Sequence, residues 1–383
     1  MIYKKLFDEI DRLNEKYVEF WKELCDIESP TADKAAVDEA GNYIVEKAKA
    51  RGWEIERFEH SVSGDVLTIT MNSASEAAPI VLSGHLDTVH PKGLFGYPPT
   101  RIDGERICGP GVEDCKGGVV AAFMAMEALE NNGFTKRPVI LMLQSDEEGG
   151  SRASNKDTIN YMCRRAQGAE AFLNLEGYSS GKACIVRKGI VTFKFTVKGI
   201  EAHSSRCAVA GANAICDAAH KIIELEKLKD HEGLTCNVGV ISGGSVPNTV
   251  AGSCEFYANV RFVNGEQLEW IKAYAEKIAN TVHVPGCTCK VEIYGSRLAM
   301  EYNERNVNLL AKMNAIFSEC GLPQLEGVKC NGGSDAAEIT ASGIPCIDSL
   351  GVEGGRIHSV DEYAEIASLA ESAKRMAAVA VGL

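Results

Sequence analysis

Three short apolar runs in this chain each lead straight into carboxylates or an imidazole, and no other feature restricts the fold as much. Ala78–Ser83 runs into His85 and Asp87, Pro138–Gln144 into Asp146, Glu147 and Glu148, and Ala171–Leu175 into Glu176. Near-continuous apolar runs of this length suit strands buried on both faces of a parallel sheet, although periodicity alone does not separate them from buried helix segments. Open α/β sheets bind ligands outside the carboxyl ends of their strands, where these side chains fall. Crowded acids repel and need protons, water or a cation among them. Solvated loop acids are the plainer reading of one such cluster, and a buried core histidine is the plainer reading of His85. Three strand ends delivering the same chemistry argue for a shaped site.

Other features narrow the class. A chain of 383 residues is long enough for two domains and a large core. A formal charge of −13 argues against a nucleic-acid partner and against an anionic membrane surface. The first ten residues mix acids with helical periodicity, unlike a signal peptide or a membrane span. Fourteen cysteines are scattered without CxxC spacing, so reduced thiols and a cytoplasmic location are expected.

Periodicity predicts helices over residues 4–26, 33–51, 119–130 and 154–166, with strands over 53–58 and 66–71. His85 with Asp87 fits an imidazole metal ligand oriented by a carboxylate. Gly109–Gly118 places Asp114 just before a helix, so Asp114 is either its N-cap or is aimed into a cleft by the flexible glycines. Between about 188 and 296 the pattern changes. Half-exposed strands near 194–198, 236–241, 253–263 and 289–295 alternate with helices over 211–228 and 266–282. The order βαββαβ predicts a ferredoxin-like α+β insert. The α/β pattern then resumes with a helix over 305–320, strands near 327–330 and 344–348, and a helix over 363–381.

His85-x-Asp87, Asp114 before Lys116-Gly117-Gly118, Asp146-Glu147-Glu148 and Glu176 together resemble the ligand set of the dinuclear zinc exopeptidases, the family of carboxypeptidase G, aminoacylase and succinyl-diaminopimelate desuccinylase. The resemblance continues in family order through Gly199–Ser205, Gly243–Val250, Gly332–Ala336 and His358 before Glu362, and so covers nearly the whole chain. It implies an α/β catalytic domain, a mixed sheet with helices on both faces, from residues 1–187 and 297–383. Residues 188–296 would be a lid or dimerisation domain.

By the same resemblance, Asp114 bridges two zinc ions, for which cobalt or manganese could substitute. His85 and Glu176 complete one site, Glu148 and His358 the other. Glu147 is implied as general base, Asp87 as the partner of His85, and His203 as an electrophile reaching in from the other subunit of a homodimer. Asn248, Arg261, Arg297 and Gly333 are implied to contact substrate; leucine follows Arg297 where the family relative has proline, which leaves a solvated surface arginine as an alternative. The peptide bond between Asp114 and Cys115 is expected to be cis. Glutamate at position 176 goes with carboxypeptidase and acylase members of the family. The expected reaction is therefore hydrolysis of a peptide-like amide next to a C-terminal amino acid. N-acyl-amino-acid deacylation or desuccinylation is the alternative, and a silent metal-binding scaffold is the reading from another class.

Overall fold

A computed structural model describes residues 2–229 and 233–383. The chain divides into two compact units, one of Met1–Val186, Tyr302–Lys329 and Ser334–Leu383, the other of Arg187–Glu301 with Cys330–Gly333. In the first unit six strands form a mixed sheet in the order 54–58, 66–71, 139–144, 80–85, 171–174, 346–347. Ile80–His85 lies parallel to both Val139–Gln144 and Ala171–Asn174, whereas Val66–Met71 pairs antiparallel with Val139–Gln144. The parallel strands are buried along their whole length, which is why they read as unbroken apolar runs.

Alternate side chains serve the two faces of this sheet. Leu82, Leu141, Leu143 and Leu173 join one large core with helices Ile2–Asp26, Lys34–Lys49, Lys116–Asn131 and Ala367–Gly382. Val81, Ile140, Met142 and Phe172 point the other way and are equally buried, as are Ile159, Met162 and Ile339 on the short helices Asp157–Arg165 and Ala336–Ala341. Fold class is thus as expected: a mixed α/β sheet with helices on both faces.

Lys116–Asn131 lies deepest, with nearly every side chain buried. Its start is pressed close to the strand that delivers Glu176. A Cβ on Gly118 would stand 2.4 Å from the Leu175 carbonyl oxygen, and one on Gly117 would stand 2.5 Å from the Val112 oxygen. Lys116 is buried as well, and its ammonium donates to the carbonyls of Ile27 (2.7 Å) and Leu24 (3.4 Å), capping the end of the first helix. Burial pushes the Lys116 pKa down. Trp21 donates from Nε1 to the Val112 carbonyl, tying that helix to the Asp114 loop.

A second, small sheet of 354–355, 363–365, 106–108 and 101–103 is absent from the sequence reading. It corrects the last helix, which begins at Ala367: Tyr363–Glu365 pairs instead with Arg106–Cys108, and Arg106 Nε donates to Glu365 at 2.9 Å.

The second unit is ferredoxin-like, as expected. Its antiparallel strands lie in the order 235–243, 253–262, 189–198, 288–297, and helices Ala214–Glu226 and Gly265–Asn280 pack against one face. Val191, Phe193, Phe195 and Val197 turn inward, while Thr192, Lys194 and Thr196 on the opposite face stay partly exposed. All fourteen cysteines are free thiols. Among the described residues no helix is long and apolar enough to cross a membrane.

Replacing Gly118→Ala should lower unfolding free energy by about 1–3 kcal/mol or more, since the added methyl meets backbone that cannot step aside. Urea denaturation with an unchanged midpoint would contradict this account of the helix–strand approach.

Candidate metal centre

Three strands that end at the carboxyl edge of the main sheet each contribute a piece of the site. His85 closes its strand, Glu147 and Glu148 lie in the turn after Val139–Gln144, and Glu176 follows Ala171–Asn174. Asp114 comes from the loop before Lys116–Asn131, and His358 from the loop between Gly354–Gly355 and Tyr363–Glu365. Two groups of donor atoms result, each within 4.8 Å: His85, Asp114 and Glu176, and Asp114, Glu148 and His358.

Asp114 belongs to both, through different oxygens. Oδ1 lies 3.1 Å from His85 Nε2, and Oδ2 lies 3.2 Å from His358 Nε2. Glu176 Oε1 is 4.0 Å from His85 Nε2, and Glu148 Oε2 is 3.3 Å from His358 Nε2. Asp114 is therefore no helix cap: the capping position falls to Cys115, whose side chain makes no capping bond. The Asp114–Cys115 peptide bond is cis, as the resemblance implies.

His85 is oriented by the backbone more than by a carboxylate. Its Nδ1 donates at 2.9 Å to the Asp87 carbonyl, which can only accept, and this turns Nε2 toward Asp114 and Glu176 as the ring nitrogen that can bind a cation once its own proton is lost. The Asp87 carboxylate does something the sequence reading did not foresee. It accepts from Thr31 Oγ1 (2.8 Å) and from the backbone N–H groups of Glu147 and Glu148 (3.1 Å each). Burial opposes its ionisation, yet these bonds and His85 hold its pKa below the usual carboxylate value.

The other acids show what the site lacks in positive charge. Burial and then the Asp114 charge push Glu148 up to about 7, and burial with Glu147 and Asp114 pushes Glu176 well above its ordinary value. Hydrogen bonds to Asp114 and Glu148 raise His358 to about 10. Acids packed this closely in a buried site favour a positive charge among them. Two imidazoles and three carboxylates, with no thiolate among the converging atoms, form a donor set that fits zinc. Cys115 Sγ is turned away, accepting the His85 N–H at 3.0 Å.

Glu113 is a neighbour the sequence reading passed over. Burial, then Asp114, raises its pKa to about 8, and its carboxyl fills the space over Gly177, where a Cβ would stand 2.1 Å from Oε1. Glycine after Glu176 thus leaves room for that carboxyl. Asp146 stays out of the donor groups and instead accepts the Ser154 N–H at 2.8 Å, shaping the turn.

Residue profiles bear on this geometry. That of Peptidase family M20/M25/M40 matches residues 81–381. The chain belongs to that family. It is a hydrolytic enzyme, similar to carboxypeptidase G2 of Pseudomonas sp., with 28% identity over 91% of this chain and 84% of the relative. It is similar also to the succinyl-diaminopimelate desuccinylase of Nitrosospira multiformis, with 25% identity over 85% of this chain and 88% of that one. Its fold matches the solved structure of YxeP from Bacillus subtilis, a dinuclear metal-binding M20 peptidase, at a TM-score of 0.71, 14% identity and coverage of 97% and 98%.

The residues expected at the substrate lie in the second unit. His203 is exposed, with Nδ1 accepting the Ser205 N–H at 3.2 Å and lying 2.8 Å from its hydroxyl. Asn248 is exposed, and its carbonyl accepts the Ser204 N–H. Arg297 is buried, so the solvated-surface alternative does not hold, and Gly333 packs on its stem. Arg261 is bonded to Asn259 and to the Asn331 carbonyl, and burial together with the Arg297 charge lowers its pKa.

Treatment with a chelator should lower the melting temperature of this family member, and a divalent ion at a hundred times its Kd should restore about 2.7 kcal/mol. At a fixed concentration of the ion the gain should grow from pH 6 to pH 8, because Glu148 and His358 must shed protons to act as ligands. Scanning calorimetry showing no metal-dependent shift at either pH would contradict a metal centre here.

Proposed function

We propose that this enzyme is a carboxypeptidase G-like hydrolase holding two zinc ions and cleaving a peptide-like amide next to a C-terminal amino acid with a free carboxylate. The observation that carries the reading is Asp114, which presents one oxygen to each of two donor groups beside the Glu147 turn. Likeness to carboxypeptidase G2 and glutamate at position 176 support the carboxypeptidase reading. The desuccinylase relative supports the alternative, removal of an acyl group from an N-acyl amino acid.

His85, Asp114 and Glu176 would hold one ion, and Asp114, Glu148 and His358 the other, with cobalt or manganese as substitutes. Bound there, the two dications would polarise the scissile carbonyl and acidify water at the site. Glu147 takes the proton of the attacking water and hands it to the leaving amide nitrogen. Asp87 keeps that base in place through the N–H groups of Glu147 and Glu148. Arg261 and Arg297, with Asn248 and Gly333, hold the substrate's carboxylate, the partner that a planar guanidinium matches best. The half-buried Arg261 and the buried Arg297, close enough for the charge of Arg297 to add to burial in lowering the Arg261 pKa, favour an anion beside them. His203 supports the developing oxyanion from the other subunit of a cytoplasmic homodimer built through the second unit. The edge strand Thr235–Gly243, which exposes Val240 and Ile241, supports such pairing.

The reading is tested on dipeptides and N-acyl amino acids, each also as its C-terminal amide, with and without zinc. Metal-dependent turnover confined to free carboxylates is expected; equal turnover of the amides would overturn it. Glu147→Gln should retain metal while kcat falls by about two to four orders of magnitude. Near-normal kcat in that variant would assign the base elsewhere. When Glu147→Ala and His203→Ala proteins exchange subunits, about half the dimers are mixed and roughly a quarter of sites should recover. No recovery despite demonstrated exchange would remove the role of His203 across subunits.

A further inference from the structure

We infer that Glu362 is a positioning residue of the metal centre: its buried carboxylate, backed by His90, sets the backbone of the loop that carries Asp114. The inference rests on the reading of the site as a dinuclear metal centre. Glu362 is 1% exposed. Its Oε1 accepts the N–H groups of Glu113 (3.0 Å) and Asp114 (3.2 Å). Its Oε2 accepts the N–H of Gly111 (3.2 Å) and stands 2.8 Å from His90 Nε2, which must donate to it. Four donors occupy the acceptor sites of one carboxylate. The Glu362 carbonyl adds a fifth tie by accepting the Gly109 N–H at 3.3 Å.

Asp114 needs such a hold more than any other ligand. Its two oxygens serve different histidines, so a small displacement of its backbone misdirects both at once. No other side chain among the described residues bonds to its N–H. His358 lies only four residues before Glu362, so one short segment supplies a ligand of the second group and anchors the ligand common to both. His90 is itself fixed, packed edge-on against Phe95 with ring centroids 4.9 Å apart. It meets Glu362 across 272 positions of sequence.

Charge and shape both matter in this arrangement. Glutamine at position 362 would turn an NH2 group toward backbone N–H donors it cannot satisfy, either that of Gly111 or those of Glu113 and Asp114. Buried partners of metal ligands typically contribute about 10- to 100-fold to affinity.

The test uses full-length protein freed of metal by chelator and titrated with Zn2+, or with Co2+ followed by its visible absorption. Wild type should take up two ions. Glu362→Gln should fold with unchanged circular dichroism, bind at least one ion about 10- to 100-fold more weakly, and show an altered cobalt spectrum. His90→Ala should shift in the same direction by less. A role confined to stability would lower the melting temperature and leave affinity and spectrum alone at 20 °C below the midpoint, on the order of the margin that keeps a domain folded. Glu362→Gln with wild-type affinity for both ions and the wild-type spectrum would therefore overturn the inference. If Glu362→Gln does not fold, His90→Ala decides it by the same two readouts. A wild-type protein that binds fewer than two ions would instead overturn the dinuclear reading, and this inference with it.

Discussion

Asp114 can face two histidines at once only if something other than those histidines holds it, and much of the first unit is built to do so. Buried backbone N–H groups must find acceptors, since leaving one unpaired costs about 1–3 kcal/mol. Carboxylates make the strongest such acceptors, roughly twice as strong as neutral groups. Glu362 receives the Asp114 loop and Asp87 receives the Glu147 turn. Asp348 draws in the side chains of Ser334 and Asn174 and the Ser349 N–H. Each loop that brings chemistry to the sheet edge is thus tied down by an acid that is not itself among the converging donors.

Packing beneath the loops has the same purpose. Lys116–Asn131 can lie against the end of the Glu176 strand because Gly118 carries no side chain, and against Val112 and Trp21 because Gly117 carries none. The same helix start caps the first helix through Lys116 and is bonded to it through Trp21 and Val112. Packing thus accounts for the lysine–glycine–glycine run after Asp114: Lys116 and Gly117 meet the first helix and Gly118 meets the end of the Glu176 strand.

Strands buried on both faces announce themselves as unbroken apolar runs, so the edge carrying His85, Glu147, Glu148 and Glu176 could be read from the chain. The insert was readable for the opposite reason, through alternation along strands with one open face, as at Thr192, Lys194 and Thr196. The small sheet was not readable. Strands of two and three residues have no period to detect, and Tyr363–Glu365 continues smoothly into the pattern of the last helix. Neither local order nor composition couples His90 to Glu362, and neither shows that Asp87, besides facing His85, accepts the Glu147 and Glu148 N–H groups. The choice between cap and ligand at Asp114 was open in the sequence, since both begin with an acid before a helix.

The order of the donors along the chain has a consequence for how the centre is assembled. His85, Asp114 and Glu176 all precede the second unit, whereas Glu148 waits for His358, which emerges only near the end. A polypeptide interrupted anywhere between residues 177 and 357 has the whole of the first donor group and only part of the second. During synthesis the two halves of the centre come of age at different times. The segment that completes the second is also the one that steadies the ligand both must share.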